Sequence, residues 1–255
     1  MTDALPVQSL PWDSHFFGFG VARVTVAHLE AAAWQQIQAK ARAAGYRLLY
    51  VTADPREADT AATLASAGLA RISRLVTYTM DLAAARWSSS SVPGIQIVPT
   101  TTLTPALEAL AWESGVCSRF HLDPKLPPTM FQALYREWLR KSLSGREMAR
   151  QVLSARLTDG SEVGLLTLGE QNGCADIGLL AIAIEQRGRG IGQLLLATAG
   201  QRARQWGHTH MQVVTQAENQ PANRFYEQAG FALTHQQDVY HCWLTENNAR
   251  QAVVL

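Results

Sequence analysis

Between positions 186 and 192 the chain reads Gln-Arg-Gly-Arg-Gly-Ile-Gly, so that Gly188, Gly190 and Gly192 alternate with Arg189 and Ile191 behind Arg187. Glycine lets the backbone turn tightly and leaves its N–H groups uncovered. The stretch lies between an apolar run and a helical pattern that begins near Gly190, and a helix N-terminus carries a partial positive charge that favours an anion. A phosphorylated ligand suits that arrangement. A dinucleotide fingerprint G-x-G-x-x-G would need glycine at 193, where Gln193 stands, and a P-loop would need Gly-Lys-Ser/Thr, which the stretch lacks. Further on, Asn219 reads as a helix cap. Phe225 and Tyr226 read as the apolar face of the short helix it opens.

The elements that must position these residues follow from periodicity and punctuation. Thr104 followed by Pro105 opens a helix over 104–117, and Phe131, Leu134, Tyr135, Trp138 and Leu139 repeat at helical spacing within 129–143. Strands are expected over 151–157, 162–168 and 175–184, joined by turns at Asp159-Gly160 and Asn172-Gly173. A helix over 190–206 ends near Gly207, a strand covers 210–215, and a short helix over 221–229 stops at Gly230. Two last strands cover 231–233 and 239–244. The order makes an α/β or α+β layered domain.

Composition narrows the classes. The 255 residues are 47% hydrophobic and 17% charged, and 22 Lys+Arg against 21 Asp+Glu give a net charge of +1. That balance disfavours duplex nucleic acid or an anionic membrane as a partner. No apolar run approaches the ~18 residues that span a bilayer, and the first residues lack a basic and then apolar leader, so a cytoplasmic location is expected. Cys117, Cys174 and Cys242 show no metal-ligand spacing and read as ordinary buried thiols. Four serines and a Pro-Gly pair mark a linker at 88–94, dividing the chain into units 1–87 and 95–255.

The chain also resembles itself. A shift of 162 positions aligns 29–69 with 191–231 without a gap, matching Gly45 with Gly207 and Gly68 with Gly230. The glycine loop then falls on Val26, Ala27, His28, Leu29 and Glu30, Asn219 on Glu57 and Tyr226 on Leu64. The earlier copy keeps a scaffold without the chemical groups, and its expected role is to pack against the later one and shape its site.

Two spacings carry a family resemblance. Arg187, Gly190 and Gly192 match R-x-x-G-x-G, and Asn219, Ala222 and Tyr226 with Gly230-Phe231 match N-x-x-A-x-x-x-Y followed by Gly-Phe. In this order, with a strand between them, they resemble the signatures of the Gcn5-related N-acetyltransferases (GNAT). The resemblance implies a GNAT fold with a mixed central sheet, preceded by a degenerate partial copy, and acetyl-CoA as co-substrate with no metal. It implies that the backbone of Arg187, Gly188, Arg189, Gly190, Ile191 and Gly192 holds the pyrophosphate, with both arginines available to CoA phosphates. Leu180, Ala181, Ile182, Asn219 and Phe225 complete the cofactor site, and Tyr226 protonates the departing thiolate. No general base is marked by spacing: Glu185, Asp176, Glu113, His121 and Asp123 are candidates, with a water chain as the alternative.

For the acceptor, Pro11-Trp12-Asp13-Ser14-His15-Phe16-Phe17-Gly18 and Ser118-Arg119-Phe120-His121-Leu122-Asp123-Pro124 resemble members of the family that acetylate a dTDP-linked 4-amino-4,6-dideoxygalactose. By that resemblance Arg119 meets a substrate phosphate, Phe120 stacks on sugar or base, and His121 borders the pocket. The plainer reading of these three is a helix terminus with one aromatic inside. The expected partner is a small-molecule amine, a nucleotide sugar, with a homodimer left open. The alternatives are another amine, such as a metabolite, an aminoglycoside or a protein N-terminus, or a CoA-binding module without catalysis.

Overall fold

The computed structural model describes residues 7–85, 91–145 and 147–244. In chain order the first elements are β1 (Gln8–Ser9), α1 (Pro11–Phe17), β2 (Gly20–Val26), α2 (Ala31–Ala43), β3 (Tyr46–Ala53), α3 (Ala58–Ser66) and β4 (Arg71–Asp81). Next come β5 (Ile95–Thr100), α4 (Pro105–Ser114), α5 (Arg119–Leu122), α6 (Pro128–Leu143), β6 (Gln151–Leu157), β7 (Glu162–Gln171) and β8 (Cys174–Ile182). A 3-10 turn at Ile184–Gln186 leads to α7 (Ile191–Gln205), β9 (His210–Gln216), α8 (Gln220–Gln228) and β10 (Ala232–Trp243).

Within the described residues there are two compact units, one taking the chain up to Leu75 and from Gln236 onward, the other Val76–His235. The expected linker at 88–94 is not where they part, and its positions 88–90 lie outside the described residues. The division falls inside β4 and β10 because core membership, not turn composition, decides it. Val76, Tyr78, Met80 and Leu82 are buried in the second core, whereas Tyr240, Cys242 and Leu244 are buried in the first. The two strands expected over 231–233 and 239–244 are one 12-residue strand, β10. Its polar middle, His235 to Gln237, looked like an interruption because this part of the strand is not buried.

The first unit has the strand order β1-β2-β3-β10. β2 lies parallel to β3, with Val24 opposite Val51, and β10 is antiparallel to β3, with Tyr240 opposite Val51. α2 buries Trp34, Ile37 and Ala41, one face at helical spacing. The Asp238 carboxylate accepts from Arg74 Nε at 2.7 Å and from Arg71 Nη1 at 3.1 Å.

In the second unit the order is β4-β9-β8-β7-β6-β5. β5 to β8 are antiparallel neighbours, and the β7–β8 turn carries Asn172 (φ 52°) and Gly173 (φ 79°), as a tight hairpin of right-handed twist requires. α7 covers this sheet with Ile191, Leu195, Leu196, Ala199 and Ala203. It stops where His208 N–H bonds to the Ala203 carbonyl across Gly207 (φ 89°). β8 and β9 are parallel, and their ladder registers only Ala175–Ile177 with Met211–Val213. Beyond it β8 runs on to Ile182, still paired with β7, and β9 to Gln216, with no further rung between β8 and β9 among the described residues, so the two strands part.

The self-similarity extends to individual hydrogen bonds. The 162-residue shift carries Ala58–Ser66 onto Gln220–Gln228 end for end. Leu69 N–H bonds to Leu64 O as Phe231 N–H bonds to Tyr226 O, both at 3.0 Å, and Gly68 bonds to Ala65 as Gly230 bonds to Glu227. All four matched glycines have positive φ: Gly45 (78°), Gly68 (78°), Gly207 (89°) and Gly230 (93°).

Candidate active site

The parting of β8 from β9 opens into a cleft of about 710 Å³ within the second unit. Its floor is Leu180, Ala181 and Ile182. One side is the glycine loop with the first residues of α7, a second is α8 through Asn219, Ala222, Phe225 and Tyr226, and a third is the end of α4 from Glu113 to Cys117. The cofactor residues expected from sequence, Arg189 aside, therefore line one cavity.

The three glycines of the loop are needed for different reasons. Gly190 caps α7 at φ 84°, a left-handed conformation that a side chain rarely adopts, and no side chain caps the helix. Gly188 is also left-handed, at φ 77°. At Gly192 packing is tight, since a Cβ there would stand 3.0 Å from Phe225 Cζ and 3.1 Å from Cε2, so that the ring would have to give by a few tenths of an ångström. The first rung of α7 is Leu194 N–H to Gly190 O. The N–H groups of Ile191, Gly192 and Gln193 consequently precede the helix's own ladder and stand at its positive end beside the cleft. That chemistry fits a diphosphate, and the apolar floor fits an uncharged arm leading away from it.

α8 is opened by Asn219, whose Oδ1 accepts from Ala222 N–H at 3.3 Å. Asn223, which the sequence reading passed over, fixes the same turn by donating Nδ2 to the carbonyls of Gln216 and Ala217. Tyr226 is 5% exposed, surrounded by the rings of Phe225 (5.3 Å), Phe231 (5.6 Å) and Tyr78 (6.1 Å). It is a core residue and a cleft residue at once. Its phenol, neutral at pH 7 already at the ordinary value near ~10, is pushed further up by burial.

Other expected residues are engaged with protein partners or lie outside this cleft. Arg187 Nε donates to the Ile182 carbonyl at 3.0 Å and Nη2 to Glu113 Oε1 at 2.6 Å, while Arg189 donates to the Gln186 side chain, so neither arginine is held out as a solitary cation. Arg119, Phe120 and His121 are not among the cleft walls. Phe120 is buried beneath the Arg119 guanidinium, 4.3 Å from its ring centre, and exposed His121 lies on Phe131 at 4.8 Å. Helix α5 turns these three away from the cavity directly after Cys117.

Of the candidate bases, Glu185 is exposed on the 3-10 turn, Asp123 is buried and accepts from Lys125 N–H, and Asp176 accepts from Gln212 in the paired part of β8. Only Glu113 among them reaches the cleft, and it is ion-paired. Among the wall residues not anticipated are Glu218 and Cys117. Cys117 and Cys174 are half-buried rather than buried, and burial, then Glu218 and Glu113, push the Cys117 thiol up. Among the described residues no cluster of three or more His, Cys, Asp or Glu is placed to hold a metal, and no helix is long and apolar enough to cross a membrane.

Known proteins share both the sequence and the fold. The acetyltransferase (GNAT) family model matches residues 108–231. Over 233 residues, 88% of this chain and 92% of the relative, the sequence is 30% identical to the dTDP-fucosamine acetyltransferase of Escherichia coli O6:H1. It is 30% identical over 141 residues, 55% of this chain, to the spore coat polysaccharide biosynthesis protein SpsD of Bacillus subtilis, and spans 47% of that protein's length. Among solved structures, a tandem GNAT protein from the clavulanic acid biosynthesis pathway superposes with TM-score 0.57 at 17% identity, covering 89% of this chain and 76% of that one. A GCN5-related N-acetyltransferase from Sphaerobacter thermophilus gives TM-score 0.54 at 19% identity, covering 84% and 67%. These two speak for the fold alone. A match that runs through both units, with the family's two signatures meeting at one cleft, leaves a single assignment: this chain is an acetyltransferase of the GNAT family.

Proposed function

We propose that the enzyme transfers the acetyl group of acetyl-CoA to the amine of a nucleotide-linked amino sugar of the dTDP-4-amino-4,6-dideoxygalactose type. The observation that carries the first half is the uncapped N-terminus of α7, entered through left-handed Gly190 and facing a cleft whose floor is apolar. The second half is supported by the 92% coverage of the dTDP-fucosamine acetyltransferase, which includes the part of the chain before the GNAT signatures. Acetyl-CoA, when bound, supplies an acetyl group activated as a thioester. The cytoplasm, where such cofactors and nucleotide sugars are made, is the proposed location.

The protein's part is to bind, orient and hold a proton. The N–H groups of Ile191, Gly192 and Gln193 receive a diphosphate at the positive end of the helix. Phe225 against Gly192 fixes loop and α8 to each other, so that anion site and Tyr226 keep one spacing. Leu180, Ala181 and Ile182 keep water from the acyl end. The Tyr226 hydroxyl, a neutral phenol at pH 7, holds the proton that a departing sulfur needs. Because the only anticipated carboxylate on the wall is paired with Arg187, deprotonation of the acceptor through water is the preferred reading. The N-terminal unit, whose repeat has Leu64 for Tyr226 and Glu57 for Asn219, is proposed to serve the acceptor side without catalysis.

Incubation with acetyl-CoA and a panel of dTDP- and UDP-linked amino sugars, followed by mass spectrometry, tests the reading. An acetylated dTDP-amino sugar is expected; turnover of other amines with none of the sugars would refute the acceptor.

A further inference from the structure

The arginine that opens the R-x-x-G-x-G signature joins three parts of the cleft wall. Its Nε bonds to the last residue of β8, its backbone enters the glycine loop, and its Nη2 meets Glu113 at the end of α4, 74 residues away in the chain. The loop it enters has little packing of its own: a Cβ built at Gly188 would meet no atom within 4 Å, and one at Gly190 would touch only Val92. A segment so thinly covered takes its shape from its two ends. One end is the start of α7; the other is the Arg187 fork, whose planar donors can serve a carbonyl and a carboxylate together.

Resting on the reading of the cleft as the acetyl-CoA site, we infer that Glu113 is a positioning residue. Through Arg187 it holds the glycine loop in the shape whose N–H groups receive the diphosphate, and it commits the Arg187 charge to α4 instead of to a phosphate. Both side chains are partly exposed, 51% for Arg187 and 31% for Glu113, so the pair's value lies in geometry more than in Coulomb energy.

The test is a double-mutant cycle on the full chain with Glu113→Ala, Arg187→Gln and the double variant. It is read by calorimetric affinity for CoA and by amide hydrogen exchange of residues 187–193 in the cofactor-free protein. Each single variant is expected to weaken CoA by about fivefold, the upper range of an exposed ion pair. The double variant is expected to lose no more than either single, with loop exchange faster in all three. Glu113→Gln, which keeps an acceptor for Nη2, should recover part of the loss. Losses that multiply in the double variant, or a Glu113→Ala protein with wild-type affinity and exchange, would overturn the inference and leave Arg187 acting on the ligand directly. A wild type that bound no CoA would instead sink the reading of the cleft, and the exchange measurements would then decide alone whether Glu113 holds the loop.

Discussion

Replacing Tyr226 by Phe removes one hydroxyl from a ring held by three other rings. No hydrogen bond to that hydroxyl is found among the described residues, so the change should cost the fold less than about 1 kcal/mol. The proposed CoA site loses none of its loop contacts, and affinity for CoA should stay within about twofold. The rate should not survive: loss of a general acid is worth roughly 10²–10⁴ in kcat, or about 2.7–5.4 kcal/mol of barrier. pH supplies a second arm. Burial raises the phenol's pKa in the folded state, so the folded protein favours the neutral ring. That contribution to stability is complete below the ordinary phenol value near ~10 and is lost as pH climbs toward the folded value. The wild type should therefore show no fall in kcat from this group between pH 7 and about 10, and Tyr226→Phe should be less sensitive to alkaline unfolding. The assay is kcat at saturating acetyl-CoA and acceptor, with the chemical step verified as slow, beside urea unfolding at pH 8 and pH 10.5. A variant with wild-type kcat would return Tyr226 to the core and leave the leaving group unassisted.

Gly192→Ala drives a methyl into Phe225, and overpacking of this kind costs about 1–3 kcal/mol; titration should show weakened CoA binding, and unchanged binding would mean that the loop and α8 are not coupled. Calorimetry should count one CoA per chain, because the repeat has no counterpart of the glycine loop before α2; two sites would refute the degenerate copy. In the first unit, Asp238→Ala removes the carboxylate that accepts from Arg71 and Arg74, both partly exposed, and should lower unfolding free energy by about 1–3 kcal/mol, as read by urea denaturation.

Local pattern carried much of the fold into view. The helix over 129–143 lies within one residue of α6, and the hairpin turns, the helix ends at Gly207 and Gly230 and the 162-residue repeat all rest on short-range backbone chemistry that single residues declare. Long-range choices were less legible. Nothing in the alternation of β8 or β9 announces that their ladder ends after Ile177 and Val213, since divergence is a relation between two strands and not a property of either strand's own pattern. The same holds for Arg187: its place in the signature was plain, but Glu113, its partner, is 74 residues earlier on another element. Arg119 and Phe120 had the right chemistry for a nucleotide sugar, yet a four-residue helix turns them onto each other.

The most direct test is a crystal structure of the enzyme with CoA. The diphosphate is expected on the N–H groups of residues 191–193, with the pantetheine arm along Leu180, Ala181 and Ile182 and the sulfur within hydrogen-bond reach of Tyr226 Oη. A diphosphate seated away from the α7 N-terminus, or a sulfur remote from Tyr226, would contradict the account.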